Sequence, residues 1–193
     1  KNRSKYSSLK NYPENTDISV QYVYSNPTPT NWGTDAGLTD PRSVNVTIQH
    51  SFIQIPQNEY KPRYDDPRVG YFVTEITDMT TADDVTPYKD LIHRWNLEKK
   101  YPEQFVSVPV QPITWWIENT TPVEFRDAIK EGVLAWNKAF EKAGFNNALE
   151  VKIQPDDADW DAGDIRYNVL RWTSSPNPPF GGYGPSFVNP RTG

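Results

Sequence analysis

Alternating apolar and polar residues in the first half of the chain predict two β-strands. One face of each predicted strand is apolar or aromatic, apart from a single histidine. These residues are Ile18, Val20, Tyr22 and Tyr24 in the first strand, and Val44, Val46, Ile48 and His50 in the second. A period of two is typical of half-buried strands. The apolar phase switches at 51–53, which predicts a bulge or twist there, and residues 71–76 indicate a further short strand.

In two other segments of the first half, the apolar residues do not recur with a single clear period. Residues 1–17 are polar, so we expect them to be loosely held. Residues 83–101 fit two structures. Pro87 could open a helix that buries apolar residues from 91 onward, or a strand could present Leu91, His93, Trp95 and Leu97 on one face. The pattern slightly favours the strand.

The second half contains the signature of one long helix over 122–143. Thr121 is the predicted N-cap, Pro122 takes the first helical position, and Glu124 would close a capping box. An apolar stripe follows at spacings of three and four: Phe125, Ile129, Val133, Trp136 and Phe140. Gly144 stands where a left-handed C-cap belongs, with Phe145 as its apolar partner. If Trp136 is buried, its replacement by Ala should cost about 3–5 kcal/mol.

Strands are predicted on both sides of this helix, over 113–118, 149–154 and 165–172. A right-handed crossover would make the two strands that flank the helix parallel. We therefore expect residues 112–172 to form a sheet with the helix packed across one face. The fold class is α+β, with a β-rich N-terminal segment preceding this mixed sheet and its one long helix.

Composition and charge exclude several classes of protein. The net charge is −5 and no basic run exceeds two residues, which argues against a nucleic-acid partner. No stretch approaches the roughly 20 apolar residues of a membrane span. The absence of cysteine excludes disulfides and thiolate zinc sites within this chain. The chain begins at Lys1 and stops on a turn sequence, 189–193, so we expect it to be a fragment of a longer protein.

Few residues of the chain are candidates for a catalytic or metal-binding site. His50 and His93 lie far apart in the sequence and do not form the pattern of a catalytic zinc site, which needs about three protein ligands. Asp157, Asp159 and Asp161 alternate as in a calcium loop, but a glycine and the final carboxylate are misplaced. The alternative is a solvated turn in which Asp side chains bond to local backbone amides, and we expect no calcium there.

Several short runs together resemble one known family. In the second half they are 112–122 (PITWWIENTTP), 135–145 (AWNKAFEKAGF), 164–168 (DIRYN), 182–185 (GYGP) and 189–193 (NPRTG). In the first half they are 60–63 (YKPR), 66–72 (DPRVGYF) and 94–95 (RW). Their content and order resemble those of large bacterial zinc-dependent metallopeptidases of the metzincin type.

The resemblance implies a division of the chain and a role for its end. Residues 1–105 would be a β-rich segment preceding the catalytic domain, and 106–193 the N-terminal part of that domain. The family's substrate pairs with an edge strand, here 183–188. The implied substrate-binding residues are Tyr183, Gly184, Pro185, Ser186 and Phe187. Lacking its neighbouring strand, the stretch 179–193 should be mobile or paired with another molecule rather than form a regular strand alone.

The resemblance also implies chemistry that this chain does not contain. In the intact protein a zinc-activated water, assisted by a Glu, would hydrolyse a peptide bond. The His-Glu-x-x-His motif is absent from these residues, so the chain alone should bind no zinc tightly and cleave no peptide. Implied partners are a peptide or protein substrate and the remainder of the catalytic domain, and the implied location is secreted, periplasmic or at the cell surface. The alternative function is a non-catalytic secreted module whose exposed aromatic residues bind carbohydrate or protein.

Overall fold

The computed structural model describes residues 3–29, 40–80 and 89–193. The chain divides into two compact units, each built from two segments. The first unit comprises Lys1–Gln54 and Gln154–Val169, and the second comprises Ile55–Ile153 and Leu170–Gly193. These units do not follow the boundary near residue 105 that the sequence suggested, and that domain division stays a prediction.

The first unit contains a three-stranded antiparallel sheet in the order β1-β2-β3. Its strands are β1 (Lys5–Asn11), β2 (Asn15–Ser25) and β3 (Ser43–Ile53). The two strands predicted from alternation are confirmed. The expectation that residues 1–17 are loosely held is wrong, because most of them belong to β1 or to the start of β2. β1 is an exposed edge strand, so its polar residues gave no alternating pattern.

The register of this sheet shifts between β1 and β2, and not in β3, where the sequence predicted an irregularity. β2 and β3 keep one unbroken register, from Asn15 opposite Ile53 to Ser25 opposite Ser43, so the bulge alternative at 51–53 is wrong and the twist alternative stays a prediction. The register instead shifts in β1 between Tyr6 and Ser8. A one-residue bulge changes which face of the sheet the following side chains occupy.

In the second unit, β4 (Val73–Thr74) and β5 (Leu91–Ile92) pair antiparallel. β4 lies within the strand predicted at 71–76 but is shorter. β5 confirms the strand alternative for the 91–92 part of the ambiguous segment, whereas Pro87 lies outside the described residues. Both residues of β5 are 2% exposed, so this short strand is part of the apolar core.

A further sheet contains β6 (Ile113–Ile117) and β7 (Leu149–Ile153), both in the second unit, which are parallel as predicted. The sheet order is β7-β6-β8, where β8 (Asn168–Leu170) is shorter than the predicted 165–172. The backbone amide of Glu118 donates to the carbonyl of Leu170 at 3.0 Å. The buried apolar residues here are Ile113, Ile117, Ala148 and Leu149.

The predicted single helix is two helices, α1 (Val123–Leu134) and α2 (Asn137–Lys142). Next to the break, the side chain of Asn137 bonds to the backbone of Leu149 at the start of β7. Its Oδ1 accepts from the Leu149 amide at 2.9 Å, and its Nδ2 donates to the Leu149 carbonyl at 3.2 Å. A tertiary contact of this kind cannot be seen in a helical pattern, and it holds the start of α2 against the sheet.

The helix ends agree with the sequence prediction at one end only. The predicted capping box is wrong: Pro122 is the N-cap, and the buried Thr121 Oγ1 makes no hydrogen bond within the described residues. Arg126 instead donates to the carbonyls of Thr121 and Asn119. At the C-terminus, Gly144 has φ +93° and the Phe145 amide donates to the Phe140 carbonyl at 2.8 Å. This is the predicted left-handed C-cap.

The apolar stripe of the helices is only partly covered. α1 contacts β6 and β7, and Ile129, Val133 and Phe140 are partly buried. Phe125 is 44% exposed and Trp136 is 66% exposed. Trp136 therefore does not meet the condition of burial on which the loss of about 3–5 kcal/mol depended, and Trp136→Ala should change stability far less than a core truncation.

The parallel sheet offers a matched pair of variants. Ile117 is fully buried, whereas Ile153, its direct neighbour across the β6–β7 ladder, is 49% exposed. We expect Ile117→Ala to lower the free energy of unfolding by about 2–5 kcal/mol, because it leaves a cavity. Ile153→Ala should cost less than half as much. Chemical denaturation measures both, and equal losses would contradict the assignment of the core.

Candidate functional site

The predicted substrate-binding residues lie in an exposed stretch without regular secondary structure. Tyr183 is 77% exposed and Phe187 is 68% exposed, and residues 171–188 contain no strand. No regular strand forms over 179–193, and the expectation that this stretch is mobile or paired with another molecule stays a prediction. A strand needs a hydrogen-bonded neighbour, and Pro185 removes one of the amides that such a neighbour would use. We call residues 172–193 the terminal segment.

One end of the terminal segment is fixed beside β5. The carbonyl of Gly193 accepts a hydrogen bond from the Arg94 amide at 3.1 Å. The Arg94 guanidinium lies 4.2 Å from the ring centre of Tyr60 and donates to the Lys61 carbonyl. Gly193 has φ +74°, and a side chain there would collide with the Ile92 carbonyl. The end of the chain is thus held against a buried strand.

A tight turn precedes this anchor, as the sequence predicts for 189–193. The Asn189 carbonyl accepts from the amides of Thr192 at 3.2 Å and Gly193 at 2.9 Å. Asn189 Oδ1 also accepts from the Arg191 amide at 3.0 Å. The side chain and carbonyl of one asparagine therefore define the turn, which is a frequent use of this residue type.

The other end of the terminal segment is fixed beside β6. The Trp172 ring stacks on Phe125 of α1 at a centroid distance of 4.9 Å and an angle of 7°. Immediately before it, Arg171 Nε donates to Glu118 Oε1 at 3.1 Å. Offset stacking of this kind adds to the gain from burial. Both ends of the segment are consequently attached to elements of the second unit.

Between these anchors the backbone is accessible. Gly181, Gly182 and Gly184 have no atom within 4 Å of the position that a Cβ would occupy. The neighbouring rings of Phe180 and Tyr183 contact one another at 5.7 Å and are both more than half exposed. Another backbone could therefore approach these residues closely.

The two histidines have protein partners in separate units. His50 Nε2 lies 3.0 Å from the hydroxyl of Tyr22 in the first unit. His93 Nε2 lies 2.9 Å from Thr74 Oγ1 in the second unit. Over residues 3–29, 40–80 and 89–193, no three His, Asp or Glu side chains form a group that could hold a metal ion. The described residues therefore do not fit a zinc site.

The three aspartates of the acidic loop do not converge. Asp157 and Asp159 are exposed, whereas Asp161 bonds to the β1–β2 hairpin. Asp161 accepts from Lys10 Nζ at 2.6 Å, from the Tyr12 hydroxyl at 2.5 Å and from the Gly163 amide at 2.8 Å. Only the bond from the Gly163 amide is of the local kind that the solvated-turn alternative predicts, and the absence of calcium stays a prediction. Lys10 and Tyr12 lie about 150 residues before Asp161 in the chain, so no local sequence pattern could indicate this contact.

Charge and burial shift the acid–base properties of this contact. Partial burial disfavours the charged form of Asp161, but hydrogen bonds from Lys10, Tyr12 and the Gly163 amide outweigh it and lower the pKa to about 2. Burial, then the hydrogen bond to Asp161, raises the pKa of the Tyr12 phenol well above its usual value. Tyr12 thus stays a proton donor and Asp161 an acceptor across the physiological range.

Comparison with known proteins identifies the family of the chain. Residues 1–100 match a family described as a domain of unknown function, DUF5117. This match covers more than half of the 193 residues, so the chain belongs to that family. No curated protein and no solved structure matches the chain. In the part of the chain that the structure describes, no helix is long and apolar enough to cross a membrane.

The Asp161 contact predicts a pH-dependent stability. Because the folded-state pKa of Asp161 is depressed, its contribution is present above the ordinary pKa of 3.8 and is lost as pH falls toward about 2. Asp161→Asn should lower the stability of the first unit by about 1 kcal/mol at pH 7, since the contact is half exposed. This difference should shrink as the pH falls below 4.

Asp159→Asn, in the same loop but exposed, is the matched control and should change stability by less than about 0.5 kcal/mol. Urea denaturation followed by tryptophan fluorescence is a suitable measurement, since Trp160 stacks on Tyr167 within this loop at 3.8 Å. An Asp161→Asn effect that is equal at pH 7 and pH 2 would contradict the role assigned to the charge.

Proposed function

We propose that the chain is part of a bacterial, extracytoplasmic zinc-dependent metallopeptidase and supplies the surface that holds the substrate backbone. Two features support this role. The parallel strands β6 and β7, joined by helices, and the following β8 have the order that the residue pattern predicted for the part of the chain that resembles metzincins. The terminal segment then exposes a glycine-rich backbone that is fixed at both ends.

The exposed backbone of the terminal segment is the main observation that supports this proposal. A peptide can be held by hydrogen bonds between two extended backbones, with little dependence on its side chains. Gly182 and Gly184 leave room for such an approach, and the exposed rings of Tyr183 and Phe187 flank it. In the intact enzyme the zinc supplies an activated water for the hydrolysis. The proposed role of this chain is to bind and orient the peptide.

The full-length protein that contains this chain provides the test. It should hydrolyse an unfolded protein substrate, lose that activity with a zinc chelator, and regain it when zinc is restored. Ser186→Pro removes one backbone donor from the proposed binding stretch. We expect it to lower kcat/KM about tenfold, chiefly through KM, because a lost hydrogen bond of about 1.4 kcal/mol corresponds to that factor.

Ser174→Pro, in the same exposed segment but outside the binding stretch, should leave kcat/KM within about twofold. The isolated chain should not cleave the substrate. A full-length protein without chelator-sensitive proteolysis would refute the metallopeptidase proposal. Proteolysis that responds equally to both serine variants would refute the role of residues 183–187 alone.

A non-catalytic binding module is the second candidate function. The observation that favours it is the number of exposed aromatic side chains in both units. The most exposed are Tyr6, Phe72, Phe105, Trp136, Tyr183 and Phe187. A full-length protein that retains no proteolysis but binds a protein or glycan would favour this alternative.

A further inference from the structure

We propose that the apolar face of the β1–β2–β3 sheet is an interface between two copies of this chain. This interface lies wholly within the first unit and is independent of the proteolytic function. The strand register and the exposure, area and charge of the apolar face support it.

The register assigns the side chains of the sheet to two faces. Residues directly opposite one another in an antiparallel pair share a face. Ile18 lies opposite Leu9 and His50, and Val20 lies opposite Tyr6 and Ile48. The members of this apolar sheet face are Tyr6, Leu9, Ile18, Val20, Tyr22, Tyr24, Val44, Val46, Ile48, His50 and Phe52.

The bulge in β1 places Tyr6 and Leu9 on the same face of the sheet. Tyr6 and Leu9 are three positions apart, so in a regular strand they would point to opposite faces. The shift between Tyr6 and Ser8 places both opposite apolar residues of β2. The irregularity therefore extends the apolar face across the whole width of the sheet.

Polar contacts cover one end of the opposite face, around Asn15 and Asp17, whereas Thr47, Gln49 and Ser51 on that face are exposed. Asn15 Nδ2 donates to the Gly163 carbonyl at 2.9 Å, and Asn15 Oδ1 accepts from the Ile165 amide at 3.0 Å. Lys10, on the same face, pairs with Asp161. Among the described residues of the first unit, those that are fully buried are all polar: Asn15, Asp17, Gln154 and Asp164.

Much of the apolar sheet face is left in water, although Ile18, Val20 and Tyr22 are partly buried. Tyr6 is 80% exposed, Leu9 68%, Phe52 63% and Tyr24 55%. At about 200 Å² for a whole aromatic side chain, the three rings alone expose roughly 400 Å². Leu9, Val46 and Ile48 enlarge this area toward the roughly 800 Å² per partner of a standard interface. Monomeric proteins seldom expose apolar patches of this size.

The charge distribution favours a second copy as the occupant. No Asp, Glu, Lys or Arg lies on the apolar face of the three described strands, although the whole chain has a net charge of −5. Two such faces can meet without burying like charges, and a charged partner would find no complement. Two antiparallel sheets pack face to face about 10 Å apart with nearly aligned strands. A twofold axis through the centre of the face would give this arrangement.

Sedimentation velocity of the whole chain over a range of concentrations tests the interface. The wild-type chain should sediment as a dimer of its 22.2 kDa protomer. Ile48→Lys puts a charge at the centre of the apolar face and should raise the dimer dissociation constant at least tenfold. Thr47→Lys, one residue earlier and on the other face, should leave it within about twofold.

Leu9→Lys and Ser8→Lys form a second matched pair on the edge strand β1, where both positions are exposed. If circular dichroism shows that Ile48→Lys does not fold, this second pair tests the interface instead. A wild-type chain that stays monomeric up to about 100 μM would overturn the proposal. A dimer that both members of a pair disrupt equally, or that neither disrupts, would also overturn it.

Discussion

The first unit buries polar residues at one end of its sheet and leaves much of the apolar sheet face in water. The covered end is held by hydrogen bonds to the loop at 161–165, with Asp161 and Asn15 as the main partners. Such contacts orient the elements but contribute modest net stability. The apolar side is where burial of surface would add most. The structure of this unit therefore depends on what covers that side.

The second unit is organised in the usual way around apolar residues. Its core consists of Leu91 and Ile92 of β5 together with Ile113, Ile117, Ala148 and Leu149 around the parallel strands. The terminal segment is attached to this core at both of its ends, through Gly193 beside β5 and Trp172 on α1. A buried core that supports an exposed backbone is consistent with the proposed role of holding an extended peptide.

Sequence patterns predicted the strands and the helix cap that are determined by neighbouring residues in the chain. β2, β3, β6, β7 and the Gly144 cap follow from alternation, apolar runs and turn chemistry. The pattern failed where a distant contact decides the structure. Asn137 bonds to Leu149 beside the break in the predicted long helix, and Lys10 and Tyr12 bond to Asp161. The candidate substrate residues were placed by resemblance, and their exposure became visible only in three dimensions.

Amide hydrogen exchange at two protein concentrations tests most directly whether the apolar sheet face is an interface. If a second copy covers the face, the amides of β2 and β3 should exchange more slowly at the higher concentration, because association stabilises the folded sheet. The amides of β6 and β7, in the other compact unit, are the internal reference and should change less. Exchange of β2 and β3 that is the same at both concentrations would contradict the account.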